Sequence, residues 1–230
     1  MDGLQWAKEL SDKLRATFRD KVLFVGLQGS YGRGEATAES DIDMVAVLDH
    51  VGLEELKSYR EVVSSMPNSS LACGFLCGLE ELKIWPRYDL FCLVSDTLPL
   101  YGDLRPWIPP ISKQDIAEGV RQGAANLYHE LCHRFLYGNL TGKVEQLKAA
   151  YKAAFFLLRA AYYLGKNVYL PQKKELMEML CEKDQEILRM SLNWDATKHQ
   201  RESAPEACFV QLIDTCKRLM QAAYLPNSKA

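Results

Sequence analysis

Residues 22–49 read VLFVGLQGSYGRGEATAESDIDMVAVLD, and the fold of the first half of the chain follows from them. An apolar run ends at Gly29-Ser30, ten residues intervene, and Asp41 and Asp43 then open a second apolar run. Both runs have the length and the β-branched, aliphatic composition of strands. Successive strand side chains point to opposite faces, so Asp41 and Asp43 share one face while Ile42 points the other way. Two neighbouring carboxylates repel unless a positive charge lies between them. A hard divalent cation such as Mg²⁺ takes oxygen ligands and leaves coordination positions open for substrate phosphates.

The turn between the strands has matching chemistry. Gly29 lacks a Cβ where the chain leaves the first strand, which lets backbone approach a ligand closely. Ser30 offers a hydroxyl and an amide for phosphate oxygens, and Arg33 a planar fork suited to them. Ser40 stands directly before the aspartates as a further phosphate contact. The P-loop pattern G-x-x-x-x-G-K-[ST] is absent, so this is a different phosphate-handling motif.

The string G-S-x-x-R-G followed by S-D-I-D resembles the signature of the nucleotidyltransferase superfamily related to DNA polymerase β. In particular it resembles the bacterial branch of minimal and antibiotic nucleotidyltransferases, over roughly residues 20–105. The resemblance implies two Mg²⁺ ions on Asp41, Asp43 and a third carboxylate from a later strand. It also implies a nucleoside triphosphate, ATP above all, held by Gly29, Ser30, Arg33 and Ser40. The run YDLFCLV, residues 88–94, reads as that later strand, with Asp89 near its start as the third ligand. An acid on an apolar run needs a reason, since burying an unpaired carboxylate is costly. Glu80 and Glu81 compete with it but sit in a polar stretch that reads as a loop.

Further strands are predicted at 71–77, and helices at 4–18 and 53–65, giving a small mixed sheet with helices. Residues 97–110, TLPLYGDLRPWIPP, read as a Pro- and Gly-rich connector. After Ser112 the periodicity turns helical, over about 112–137, 143–165, 173–190 and 204–223, with Gly138 and Gly165 at C-cap positions. The expected architecture is an α+β catalytic domain over residues 1–105, followed by an all-α bundle over 112–230.

In the helical half, Glu130 and Arg134 are four apart and share a helix face. Their stretch resembles the helix of kanamycin-type enzymes, which implies a general base at Glu130 and a phosphate contact at Arg134. Lys148 and Lys152 share a face of the next helix and are candidates for the γ-phosphate. The bland alternatives are a surface ion pair and a solvated basic face. His129 and His133 form an i, i+4 pair without the surrounding pattern of a zinc site.

Bulk properties set outer limits. A chain of 230 residues that is 48% hydrophobic can bury a proper core. The net charge of −2 argues against a nonspecific nucleic-acid binder. Seven cysteines without C-x-x-C pairs suit reduced thiols and a cytoplasmic location better than a disulfide framework. No N-terminal signal or membrane segment is recognisable. The expected activity is Mg²⁺-dependent transfer of a nucleotide, AMP foremost, to a hydroxylated small molecule such as an aminoglycoside or lincosamide. The alternatives are a protein adenylyltransferase of the minimal-nucleotidyltransferase antitoxin type and an inactive nucleotide-binding module. A homodimer is compatible with each.

Overall fold

The computed structural model describes residues 2–38, 40–138 and 147–223. The chain divides into two compact units, residues 1–110 and 111–230. In the first, helix α1 (Gly3–Phe18) starts where Asp2 accepts hydrogen bonds from the amides of Leu4 and Gln5 at 3.0 and 3.2 Å. This is an N-cap in the usual sense, satisfying two of the orphan donors of the first turn. Strand β1 (Val22–Gln28) follows, then a single helical turn α2 (Gly29–Gly32), strand β2 (Ile42–Leu48) and helix α3 (Leu53–Ser64). Strand β3 (Ala72–Gly78), helices α4 (Leu79–Ile84) and α5 (Arg87–Asp96), and strand β4 (Leu98–Gly102) complete the unit.

The four strands form one sheet in the order β3-β2-β1-β4, with β2 parallel to β3 and the other pairs antiparallel. One face carries Ile42, Met44, Ala46 and Leu48 of β2 into a buried cluster with Trp6, Leu10, Leu14 and Phe18 of α1. The pleat turns Val45 and Val47, equally buried, to the other face, so β2 is covered on both sides. It also sends Asp43 to the opposite face.

Two expectations for this unit are corrected. Residues 88–94 form helix α5, not a strand. The buried side chains of α5 include Leu90, Phe91 and Leu93, a helical grouping, and the amide of Leu90 donates to the carbonyl of Pro86 at 3.0 Å. The fourth strand instead lies in the stretch read as a connector. β4 pairs only with β1, so its Pro99 stands on an edge strand, where a missing N–H does no harm. The stretch holding Glu80 and Glu81 is likewise helical, as α4.

The second unit is wholly helical among its described residues: α6 (Lys113–Tyr137), α7 (Leu147–Lys166), α8 (Lys173–Met179), α9 (Glu182–Leu192), α10 (Lys198–Ser203) and α11 (Pro205–Ala222). Ser112 and Asp115 form a capping box on α6, the Asp115 amide donating to the Ser112 hydroxyl at 3.1 Å. The start of the second helix, expected at 143, lies outside the described residues. The helix expected over 173–190 is broken into α8 and α9 at Cys181, whose carbonyl accepts from the amides of Asp184 and Gln185 at 2.9 Å each. Gly138 ends α6 as expected, whereas Gly165 lies inside α7. The left-handed residue there is Asn167, φ 56°, whose amide donates to the Tyr163 carbonyl at 2.7 Å. Asn tolerates that conformation better than other non-glycine residues, which explains the two-residue difference.

Candidate active site

The site is built at the junction of β1, α2 and β2. Gly29 has φ +67°, and a Cβ added there would collide with the carboxylate of Asp43. Only glycine lets the α2 turn lie this close to the acid. Ser30 follows directly, half-buried, its carbonyl accepting from the Glu35 amide at 2.8 Å. Asp41 stands just before β2 and is exposed, while Asp43 is the second residue of the strand and half-buried. Ser40 closes the preceding turn, its hydroxyl accepting from the Thr37 amide at 2.9 Å. Gly29, Ser30, Asp41, Asp43 and Ser40 therefore share one end of the sheet.

Strand pairing sets Gln28, Asp43 and Cys73 in one row across β1, β2 and β3. Paired residues project from the same face of a sheet, so Asp43 has an amide on one side and a thiol on the other. The neighbouring strand, β3, reads Ala72-Cys73-Gly74 and carries no acid.

Asp89 occupies the first turn of α5 and is exposed. Desolvation by its neighbours raises its carboxyl above the ordinary range, and a hydrogen bond with the Trp85 side chain pulls it partly back. An acid in a first helical turn is favoured by the helix dipole, which gives Asp89 a reason without a metal. Among the described residues no group of three Asp, Glu, His or Cys side chains assembles closely enough to hold a metal ion. The donors at hand are the carboxylates of Asp41 and Asp43. That set fits Mg²⁺ arriving with a nucleotide, since Mg²⁺ is usually held by one or two carboxylates together with substrate phosphates.

Arg33, expected as a phosphate fork, has carboxylate partners within the first unit. It is buried, with Nη1 donating to Oδ2 of Asp96 at 2.8 Å and Nε to Oε2 of Glu35 at 3.0 Å. Asp96, in the last turn of α5, is buried too. The sequence reading passed over Asp96 and Glu35. The available signal was an acid at a helix C-terminus, where the dipole disfavours it and a tertiary partner must compensate.

In the helical unit, Glu130 and Arg134 of α6 form an i, i+4 ion pair, with Glu130 exposed and Arg134 half-buried. Lys148 and Lys152 are exposed on α7. His129 and His133 are also exposed, their ring centroids 6.5 Å apart.

A Gly-Ser turn is thus seated on the second aspartate of a D-x-D strand, in a small mixed sheet. The family model described as the nucleotidyltransferase domain matches residues 7–72, and over that segment the chain is similar to the nucleotidyltransferase superfamily. One similar relative, from Methanocaldococcus jannaschii, carries a name proposing a protein adenylyltransferase. It is 37% identical over 65 residues, which span 27% of this chain and 65% of that protein. The fold is similar to the crystal structure of a spectinomycin adenyltransferase from Enterococcus faecialis with ATP and spectinomycin. That likeness has a TM-score of 0.60 at 13% identity and covers 94% of this chain and 98% of the other. No described helix is long and apolar enough to cross a membrane.

Proposed function

We propose that this chain transfers a nucleoside monophosphate, AMP foremost, from a nucleoside triphosphate to the hydroxyl of a small molecule such as an aminoglycoside or lincosamide. The observation that carries the reading is the left-handed Gly29 turn, whose α-carbon lies against the carboxylate of Asp43, with Ser30 next in the chain. In the proposed reaction the acceptor oxygen attacks the α-phosphorus, the bond to the bridging oxygen breaks, and pyrophosphate leaves with the electron pair. Asp41 and Asp43 hold Mg²⁺, which when bound offsets the negative charge of the triphosphate. The amide and hydroxyl of Ser30, with Ser40, bind phosphate oxygens and fix the triphosphate in line. By resemblance, Glu130 accepts the hydroxyl proton and Arg134 contacts a phosphate, while Lys148 and Lys152, which share a face of α7, are further phosphate contacts. Asp89, off any three-ligand cluster, remains only as a candidate for the second metal.

A protein acceptor is the second reading, favoured by the segment shared with the Methanocaldococcus jannaschii protein. The test is transfer of label from an α-³²P nucleoside triphosphate, screened across antibiotics, proteins and RNA, with Asp43→Asn as control. Wild-type labelling of a drug that vanishes in Asp43→Asn, with an unchanged circular-dichroism spectrum, supports the first reading. Labelling of proteins alone moves the assignment to the second. Binding of Mg·ATP without transfer to any acceptor would make the chain a nucleotide-binding module.

A further inference from the structure

We propose that Arg33 and Asp96 form a strut that positions the Ser30 turn, so that Arg33 serves the site as a positioning residue and not as a phosphate ligand. This rests on the nucleotidyltransferase reading of the site. The Arg33 and Asp96 side chains are 6% and 4% exposed and meet at 2.8 Å, while Glu35 takes the other edge of the guanidinium at 3.0 Å. A forked guanidinium suits two carboxylates geometrically, and its charge is already matched before any phosphate arrives. Reaching a phosphate would mean breaking a buried, hydrogen-bonded ion pair with Asp96, which is strongly unfavourable.

Both partners have locations that make sense only together. Asp96 lies at the negative end of the α5 dipole and needs a cation. Arg33 is fastened to the phosphate turn by its own backbone, its amide donating to the carbonyl of Gly29 at 3.1 Å. The Glu35 amide donates to the Ser30 carbonyl at 2.8 Å, so the carboxylate that flanks Arg33 is tied to the same turn. Gly32 adds a steric limit, since a Cβ there would meet the Leu27 carbonyl oxygen at 2.7 Å and the Asp96 carbonyl oxygen at 3.6 Å. The turn is thus pressed onto the C-terminal end of α5 and locked there by the ion pair. A phosphate then meets a preformed turn instead of ordering a loose one, which is how positioning residues assist a reaction.

Asp96→Asn separates the two roles. It leaves the Arg33 charge intact, so a phosphate-binding Arg33 would hold nucleotide as well as before or more tightly. The strut instead predicts a roughly tenfold weaker affinity for Mg²⁺ with the α,β-methylene analogue of ATP, measured by calorimetry at a temperature where the variant is fully folded. It also predicts faster hydrogen exchange at the amides of residues 30–35, with amides of α7 and α11 unchanged. Arg33→Lys, which keeps charge but loses the fork, should behave like Asp96→Asn. Asp96→Glu should restore part of both signals, which a general loss of stability would not do, and it stands in if Asp96→Asn fails to fold. Wild-type exchange at 30–35 in Asp96→Asn, or analogue binding as tight as wild type, overturns the strut. If the wild-type protein binds no nucleotide, the transferase reading falls, while the exchange measurement still decides whether the strut exists.

Discussion

The carboxylate of Asp43 lies over the α-carbon of Gly29, in the space any other side chain would occupy. Gly29→Ala therefore disturbs the acid and the turn together. It also forces a non-glycine residue to φ +67°, a strain of about 1–3 kcal/mol. The expected outcome is a modestly lower melting temperature and a fall in transfer rate of roughly 10²-fold, the size a displacement of about 1 Å at a reacting centre produces. A thermal melt and the labelled-nucleotide assay check both halves.

Chelation should have a reversible effect on activity. Asp41 and Asp43 offer hard oxygen ligands, so EDTA is expected to abolish transfer and Mg²⁺ or Mn²⁺ to restore it. Asp41→Asn and Asp43→Asn should each abolish transfer at any Mg²⁺ concentration, with melting temperatures near wild type. Calorimetric titration of metal into the protein with and without a non-hydrolysable nucleotide checks whether ion binding requires the triphosphate.

Thiol labelling reads out the placement of β3. Cys73 and Cys181 are exposed, whereas Cys77, Cys208 and Cys216 are buried. Burial, with the Glu81 carboxylate adding repulsion, pushes the Cys77 thiol up to about 12, and burial with Cys132 nearby does the same for Cys216. Iodoacetamide at pH 8 should modify Cys73 and Cys181 well before Cys77 and Cys216, because the thiolate is the reactive form. Peptide mass spectrometry over a time course decides it. Early modification of Cys77 would mean that β3 is out of the register seen here.

Stability should acquire an acid-dependent component through Glu55. Its carboxylate accepts from Lys21 Nζ at 3.1 Å and from the Gly52 amide at 3.1 Å. The Lys21 hydrogen bond is the largest cause holding its carboxyl down to about 2, from an ordinary 4.5. A depressed native value means stabilisation present above the unfolded value, lost as pH falls from 4.5 toward 2. Glu55→Gln should therefore melt below wild type at neutral pH, and the gap should close across that window.

Asn167 tests the C-terminal end of α7. With φ 56° it occupies the left-handed region, where glycine carries no steric cost. Asn167→Gly should leave stability near wild type, whereas Asn167→Val should cost about 1–2 kcal/mol. Chemical denaturation of the two variants distinguishes a true left-handed cap from a frayed end.

Strand β2 was legible because its pattern is local: a short continuous run of aliphatic residues with the acids at its start. The Gly-Ser turn was legible for the same reason, since a glycine where the chain leaves a strand has a backbone meaning of its own. Helix α5 was not. Tyr88-Asp89-Leu90-Phe91-Cys92-Leu93-Val94 has aromatic and aliphatic residues that suit either a buried strand or a helix, and short apolar runs do not separate the two. The missed signals were Pro86, followed by an acid in the first turn, which together mark a helix start. β4 was hidden by Pro99, which an edge strand tolerates and a central one does not.

The sequence by itself determined the α+β half, the helical half, and the pairing of Asp41 and Asp43 with a Gly-Ser turn, because these depend on spacing and side-chain chemistry along a few residues. Only the tertiary structure decided that Asp89 lies in the first turn of a helix, that Cys73 stands beside Asp43, and that Arg33 is held by Asp96. Those facts depend on which face a helix turns toward the sheet and on residues 63 apart meeting in a buried place. A charge written in a sequence says what a residue can bind, and the packing around it determines whether that charge is already matched.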